Sequence, residues 1–175
     1  MPLFKTERLI CAPLQQEDWP FYLMLQQHPD VMRYVADERP ENIIAEGFRS
    51  RLPAWSPGSE HWLCLTVRAR ETGEQLGMTG YIHRDTDSAE VGFLFSPAAQ
   101  GQGYGYESLR ALCDYAFREG GIRRLTATVT AGNIASRRLL EKTGFILEGE
   151  LRQNYFLAGN WHNDWIFGLL KDEYI

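Results

Sequence analysis

Between residues 97 and 109 the chain reads Pro-Ala-Ala-Gln-Gly-Gln-Gly-Tyr-Gly-Tyr-Glu-Ser-Leu. Gly101, Gly103 and Gly105 stand in a stretch that follows an apolar run and precedes a helix-like one. Glycines let a backbone turn freely and approach a ligand closely. The first N–H groups of a helix have no partner within it. Glycines leading into a helix therefore suit an anion, a pyrophosphate above all. The string lacks the Lys of a Walker A loop. It also misses a dinucleotide fingerprint, because Tyr106 stands where G-x-G-x-x-G needs its last glycine. On spacing alone, residues 100–105 are either a phosphate cradle or a loop that only lets a helix start.

Other residues carry chemistry by type and place. Glu90 lies inside Ser-Ala-Glu-Val-Gly-Phe-Leu-Phe-Ser, an apolar strand-like run. An unpaired carboxylate there is costly, so Glu90 is expected to be salt-bridged or to line a cleft. Asn133 follows Gly132 and suits a helix N-cap, and Ser136 falls on the same helix. Trp19, Phe21, Tyr22, Tyr34 and Trp55 could line a pocket, but most such aromatics are expected in the core. His83 could act as a base, although a solvent-facing strand position is the simpler expectation. The four histidines show no ligand spacing, and no C-x-x-C pair exists among Cys11, Cys64 and Cys113. No metal site is therefore expected.

The elements that must hold these residues follow from hydrophobic period. Residues 7–14 read as a first strand, 16–27 as a helix and 40–55 as a second helical region ended by Pro53. Residues 61–70 alternate like a strand. A turn at 71–74, a return strand at 75–84, a turn at 85–87 and a strand at 88–96 complete a meander. Leu109, Leu112, Cys113, Ala116 and Phe117 form one stripe of a helix at 104–119, stopped by Gly120-Gly121. A strand at 124–130, a short helix at 133–143 and two final strands, 145–154 and 161–170, follow. The order β-α-α-β-β-β-α-β-α-β-β predicts an α/β (α+β) fold with a mixed sheet, since a meander runs into β-α-β. With 175 residues, no repeat and no long linker, residues 1–175 read as one domain. A net charge of −5 argues against nucleic-acid binding, which draws on basic surplus. Free thiols and the absence of a signal-like or membrane-length apolar run point to a soluble, cytoplasmic protein with no membrane partner.

Four motifs, in order, resemble the GNAT superfamily of N-acetyltransferases, and its RimJ/RimL-like branch in particular. Gln100-x-x-Gly103-x-Gly105 resembles the family's Q/R-x-x-G-x-G/A motif, and residues 88–97 resemble the strand before it. Asn133-Ile-Ala-Ser136 with Leu140-Glu-Lys-Thr-Gly-Phe145 resembles an N-x-x-S…L-E-K-x-G-F segment. Leu147-Glu-Gly149 and the closing Trp161…Asp164…Gly-Leu-Leu-Lys-Asp-Glu173 resemble the branch's tail. The likeness implies a mostly antiparallel sheet split between its two middle strands, with acetyl-CoA as cosubstrate in the split. It implies that Gln100, Gly101, Gln102, Gly103, Tyr104 and Gly105 hold the pyrophosphate. Phe93, Leu94, Phe95, Asn133 and Ser136 would meet the rest of the cofactor. Ser136 would serve the departing thiolate, and a backbone N–H in residues 91–95 the carbonyl oxygen. Two departures stand out. Gln102 occupies a position that often carries a basic side chain. Tyr155 occupies the place of a proposed acidic base, and a phenol is a poor base at neutral pH. Glu90 and Tyr155 are thus the base candidates. The implied reaction is direct attack of a primary amine on the thioester in a ternary complex, by a monomer or homodimer. The acceptor would be a protein N-terminus, a polyamine or an aminoglycoside. The alternatives are a non-catalytic acyl-CoA-binding module and a structural domain with a glycine-rich turn.

Overall fold

A computed structural model describes residues 1–174. Among these, eight strands form one sheet: β1 (Phe4–Lys5), β2 (Leu9–Pro13), β3 (Leu63–Ala69), β4 (Gln75–His83), β5 (Ser88–Phe95), β6 (Arg124–Thr130), β7 (Ile146–Leu157) and β8 (Asn160–Leu170). The helices are α1 (Trp19–Gln27), α2 (Pro29–Met32), α3 (Glu41–Ser50), α4 (Tyr104–Arg118) and α5 (Ile134–Thr143). The sheet order is β1-β2-β3-β4-β5-β6-β8-β7. All neighbours run antiparallel except β5 and β6. The expected mixed, mostly antiparallel sheet is what the chain forms.

The alternation of the strands sorts two cores onto the two faces of the sheet. One face carries Leu65, Val67, Tyr81, Ala89, Val91, Leu125, Ala127 and Phe167, and the stripe Leu109, Leu112, Cys113, Ala116 and Phe117 of α4 packs on it with Leu140 of α5. The other carries Met78, Cys64 and Leu94, covered by Tyr22 and Leu25 of α1 and Ile44 and Phe48 of α3. Asp18, buried just before α1, ties this layer to the sheet through Arg68 at 2.7 Å and Gln75 at 3.0 Å. Gly105 lets α4 approach α5, since a Cβ there would lie 3.1 Å from Leu139 Cδ2.

Several boundaries move. Helix α1 begins at Trp19 after a 3-10 turn, because Pro20 is accommodated only in a first turn. Helix α3 stops at Ser50, three residues before Pro53. The two-residue β1 and the one-turn α2 were too short to show a period. The last two strands form one long hairpin whose turn is Ala158-Gly159, both at positive φ, as a type I′ turn requires.

The split is a matter of register. Strands β5 and β6 pair only through Ser88↔Arg124, Ala89↔Leu125 and Glu90↔Thr126. Beyond Glu90 they diverge. Backbone alternation shows which groups face the gap. Ser96 N–H bonds Leu76 and Arg84 N–H bonds Ser88, so Glu90, Gly92 and Leu94 turn their peptide groups toward β4. Val91, Phe93 and Phe95 turn theirs into the gap. On the far side Ala131 N–H bonds Asn163, so odd residues of β6 face β8, and Thr128 and Thr130 face the gap. Two strands thus present backbone donors and acceptors that the sheet leaves unpaired, and buried backbone groups need partners.

Candidate active site

A cavity of about 510 Å³ opens at this split. Its lining includes Glu90, Val91, Phe93 and Leu94 of β5, Thr128 and Thr130 of β6, and Asn133 and Ser136 at the start of α5. Tyr155 and Asp164 of the final hairpin also reach it, as do Tyr22, Tyr34, Arg39 and Arg51 from the α1–α3 side. The strand, the short helix and the final hairpin therefore bring together Glu90, Ser136 and Tyr155, which lie far apart in sequence.

Each candidate has a definite setting. Glu90 sits at the last paired position before the strands part. It both lines the cavity and pairs with Arg84 at 3.0 Å, so the two expectations for it hold together. Asn133 caps α5: its side-chain oxygen accepts from the Ser136 N–H at 3.3 Å. Ser136, in the same turn, lines the cavity. Tyr155 donates its hydroxyl to the Val35 carbonyl at 2.6 Å. That bond, with Ala158 N–H on Asp37 at 2.9 Å, pins the segment after α2 to the hairpin. A carboxylate at this place would lack the donor proton that the Val35 carbonyl takes.

The glycine loop lies beside the cavity, at the outer end of β5. Gly101 and Gly103 have φ of 78° and 83°, values that side chains resist. Gly103 is the N-cap of α4, and Glu107 N–H bonds its carbonyl at 3.0 Å. Gln100 reaches back to the Phe95 carbonyl at 3.1 Å and Gln102 to the Ala98 carbonyl at 2.8 Å. Neither glutamine side chain is needed for an anion, because both brace the loop. Arg8 spans the loop from the start of β2. It donates to the Gln102 carbonyl at 3.0 Å, pairs with Glu107 at 2.7 Å and covers the Tyr104 ring at 4.5 Å. Burial disfavours the Glu107 carboxylate, but bonds from Thr6, the Arg8 N–H and the Arg8 guanidinium outweigh it and hold the group below the usual carboxylate range. Arg8, Arg110 and Lys142, together with Glu7 and Glu107, surround an open depression at Gly103 and Tyr106. Cationic side chains absent at Gln102 thus stand nearby, Arg8 paired with Glu107. Only the fold reveals them.

Of the five aromatics, Trp19 and Phe21 pack with the α1–α3 core and Trp55 with the larger one. Only Tyr22 and Tyr34 reach the cavity. His83 departs from its expected solvent-facing place: its ring stacks on Trp55 at 5.8 Å. Arg39, Arg51 and Trp62, which no motif or period marks, also line the cavity. Asp164, part of the tail likeness, is 5% exposed and accepts from Asn154 at 2.8 Å. No group of three or more metal-ligating side chains is assembled among the described residues, and none of their helices is long and apolar enough to cross a membrane.

A sheet forked between parallel middle strands, with a glycine turn feeding a helix at the open end, is the arrangement that the resemblance to acetyl-CoA-dependent transferases implies. Residues 8–146 match the acetyltransferase (GNAT) domain family, and the chain belongs to that family, whose members are acetyl-CoA-dependent N-acetyltransferases. It is 35% identical to the probable N-acetyltransferase YjcK of Bacillus subtilis over 178 residues, covering 98% of each chain. Among solved structures, the spermidine N-acetyltransferase of Vibrio cholerae, in complex with CoA and spermine, superposes with a TM-score of 0.84 at 21% identity, over 97% of this chain and 99% of that one. A RimL ribosomal L7/L12 alpha-N-protein acetyltransferase bound to coenzyme A gives 0.84 at 19% identity, over 97% and 98%. At these identities the two superpositions speak for the fold.

Proposed function

We propose that this enzyme transfers acetyl from acetyl-CoA to a primary amine bound in the cavity, by direct attack and without an acyl-enzyme. The observation that carries the reading is the fork. Peptide groups of Val91, Phe93 and Thr128 that the sheet leaves unpaired line a cavity that Ser136 and Glu90 also line. An extended, amide-bearing arm satisfies such groups as a third strand would. Acetyl-CoA supplies an activated thioester on such an arm.

The chain's own groups then have these tasks. The amides of residues 101–105 and the N-terminus of α4 hold the pyrophosphate, with Arg8 and Lys142 adding positive field. An N–H of Val91 or Phe93, turned into the gap, stabilises charge on the carbonyl oxygen. Glu90, at the fork, takes the amine proton directly or through water. As the N–C bond forms and the C–S bond breaks, the Ser136 hydroxyl hydrogen-bonds the departing thiolate, which then takes its proton from water. Tyr155 positions rather than abstracts: its proton is committed to Val35. Asn133 shapes the first turn of α5 and thereby the direction of Ser136, besides meeting the pantetheine arm.

The branch-level motifs at 133–145 and the closing residues support a RimJ/RimL-like enzyme acting on a protein N-terminus. A small amine is the second reading. The roof made by residues 33–39, pinned at Tyr155 and Ala158, favours it because it limits the room above the cavity.

A calorimetric titration with acetyl-CoA tests the reading. Gly105→Pro removes one N–H from the first turn of α4; because a Cβ there lies 3.1 Å from Leu139 Cδ2, the variant's fold is checked by circular dichroism alongside. Wild type should bind and the variant should bind at least tenfold more weakly while keeping its fold. Equal affinities would remove the pyrophosphate assignment, and no binding by wild type would remove the function.

A further inference from the structure

The α1–α3 end of the cavity is cationic. Arg39 and Arg51 both line it. Arg39 spends its hydrogen bonds on Gln26, with Nη2 at 2.7 Å from the side-chain oxygen and 3.3 Å from the carbonyl. Its Nε is buried with no partner. Arg51 donates to the Gly47 carbonyl at 2.9 Å and lies over the Trp62 ring at 5.7 Å. Among the described residues neither guanidinium meets a carboxylate. The carboxylates among the lining residues are Glu90 and Asp164, and each is engaged elsewhere, with Arg84 and with Asn154.

The two arginines act on one spot. Burial pushes the Tyr22 phenol up, and the charges of Arg51 and Arg39 pull it back. Gly47 keeps that spot open, since a Cβ would lie 3.2 Å from the Tyr22 hydroxyl and 3.5 Å from Arg51 Nη1. Trp62 connects the spot to the reacting strand: its ring edge lies 3.1 Å from where a Gly92 Cβ would be. Two cations held without counter-charge in a half-enclosed site make a poor place for a second ammonium group and a good one for an anion.

We propose that the acceptor is an amine that also bears a carboxylate, read by Arg39 and Arg51 with Tyr22 while the amine points along Trp62 toward Gly92 and Glu90. This rests on the acetyl-transfer reading for the place of the amine. The carboxylate belongs either to a free amino acid or to an acidic side chain next to a peptide's N-terminus. A polyamine meets this end of the cavity with the wrong sign.

The experiment is thiol release from acetyl-CoA with primary amines in matched forms. Amino acids and aminoalkanoic acids are compared with their methyl esters, and short peptides opening on an acidic residue with the corresponding amides. Spermidine is the cationic control. Acids should exceed esters at least tenfold in kcat/KM, as hydrogen bonds to a charged group are worth about 1.5–3 kcal/mol. The amino-acid and peptide arms identify the source of the carboxylate. Arg39→Gln and Arg51→Gln should each shrink the acid-to-ester ratio by raising KM for the acid. Lysine at either position should restore part of it. Esters or spermidine turned over as well as the acids, or variants that lower acid and ester alike, would overturn the subsite. So would an absence of turnover for every acid while other amines are acetylated. Calorimetric binding of the same pairs reads the subsite without catalysis. Acid binding without acetyl-CoA binding would therefore sink acetyl transfer and spare the anion site, whereas turnover without acid preference would do the reverse.

Discussion

In the proposed mechanism Ser136 and Glu90 act at different moments, and kinetics separates them. Ser136 lines the cavity, and in the proposed mechanism its bond to sulfur grows only as the C–S bond breaks. Ser136→Ala should lower kcat and kcat/KM together, with little change in acetyl-CoA affinity. A general acid is worth roughly 10²–10⁴-fold, and a thiolate leaves readily, so the loss should sit at or below the low end. An unchanged kcat with chemistry rate-limiting would remove Ser136 from the mechanism. Glu90→Gln should lower kcat and flatten the acidic limb of the pH–rate profile. Tyr155→Phe should leave that limb in place and act through the lost bond to Val35. Wild-type pH profiles in both variants would mean that the amine is deprotonated in solvent. These residues were legible because strand, loop and helix motifs placed them. Arg39, Arg51 and Arg8 were not. An isolated arginine has no periodic or motif signature, and its meaning lies in which cations lack or find a partner after folding.

At the scale of elements, the short helix α5 rests on one cap. Asn133 accepts from Ser136 N–H, and Gly144 closes the helix at φ 113°. Asn133→Ala should cost roughly 0.5–2 kcal/mol in a denaturant titration. Because Asn133 also faces the cavity, KM for acetyl-CoA should rise in the same variant. A loss of stability with an unchanged KM would leave only the cap. The Asn-Gly frame of this helix was readable in the string, as was the buried stripe of α4, because both follow local rules. The β5–β6 fork could not be read from strand patterns. Val91 and Phe93 alternate just as they would in a fully paired strand, and only the register, ending at Glu90↔Thr126, shows where the pairing stops. Strands β7 and β8 came out longer than their apolar runs for a related reason. Leu151, Phe156 and Trp161 stay exposed on an edge hairpin whose bulge near Gln153, at φ 47°, interrupts the alternation.

For the whole molecule, the three thiols report on the core. Burial pushes Cys11 and Cys113 up to about 12 and Cys64 to about 11, from an ordinary 9.0. In the unfolded chain they ionise first. Their contribution to stability is therefore complete below pH 9 and is lost as pH rises from there toward 12. Denaturant midpoints should fall across that window more steeply than in a Cys11→Ala, Cys113→Ala variant; parallel curves would contradict it. At neutral pH Cys11 and Cys113 should resist alkylation until the protein unfolds.

The central claim is that the forked sheet with its glycine loop is an acetyl-transfer site. Thiol release from acetyl-CoA, followed with mass analysis of the amine across amino acids, N-terminal peptides, polyamines and aminoglycosides, addresses it most directly. The account predicts amine-dependent release by wild type, an acetylated amine in equal yield, and loss of both in Gly105→Pro. Acetyl-CoA bound tightly with no amine-dependent release across the whole panel would contradict it, and would leave an acyl-CoA-binding module in place of an enzyme.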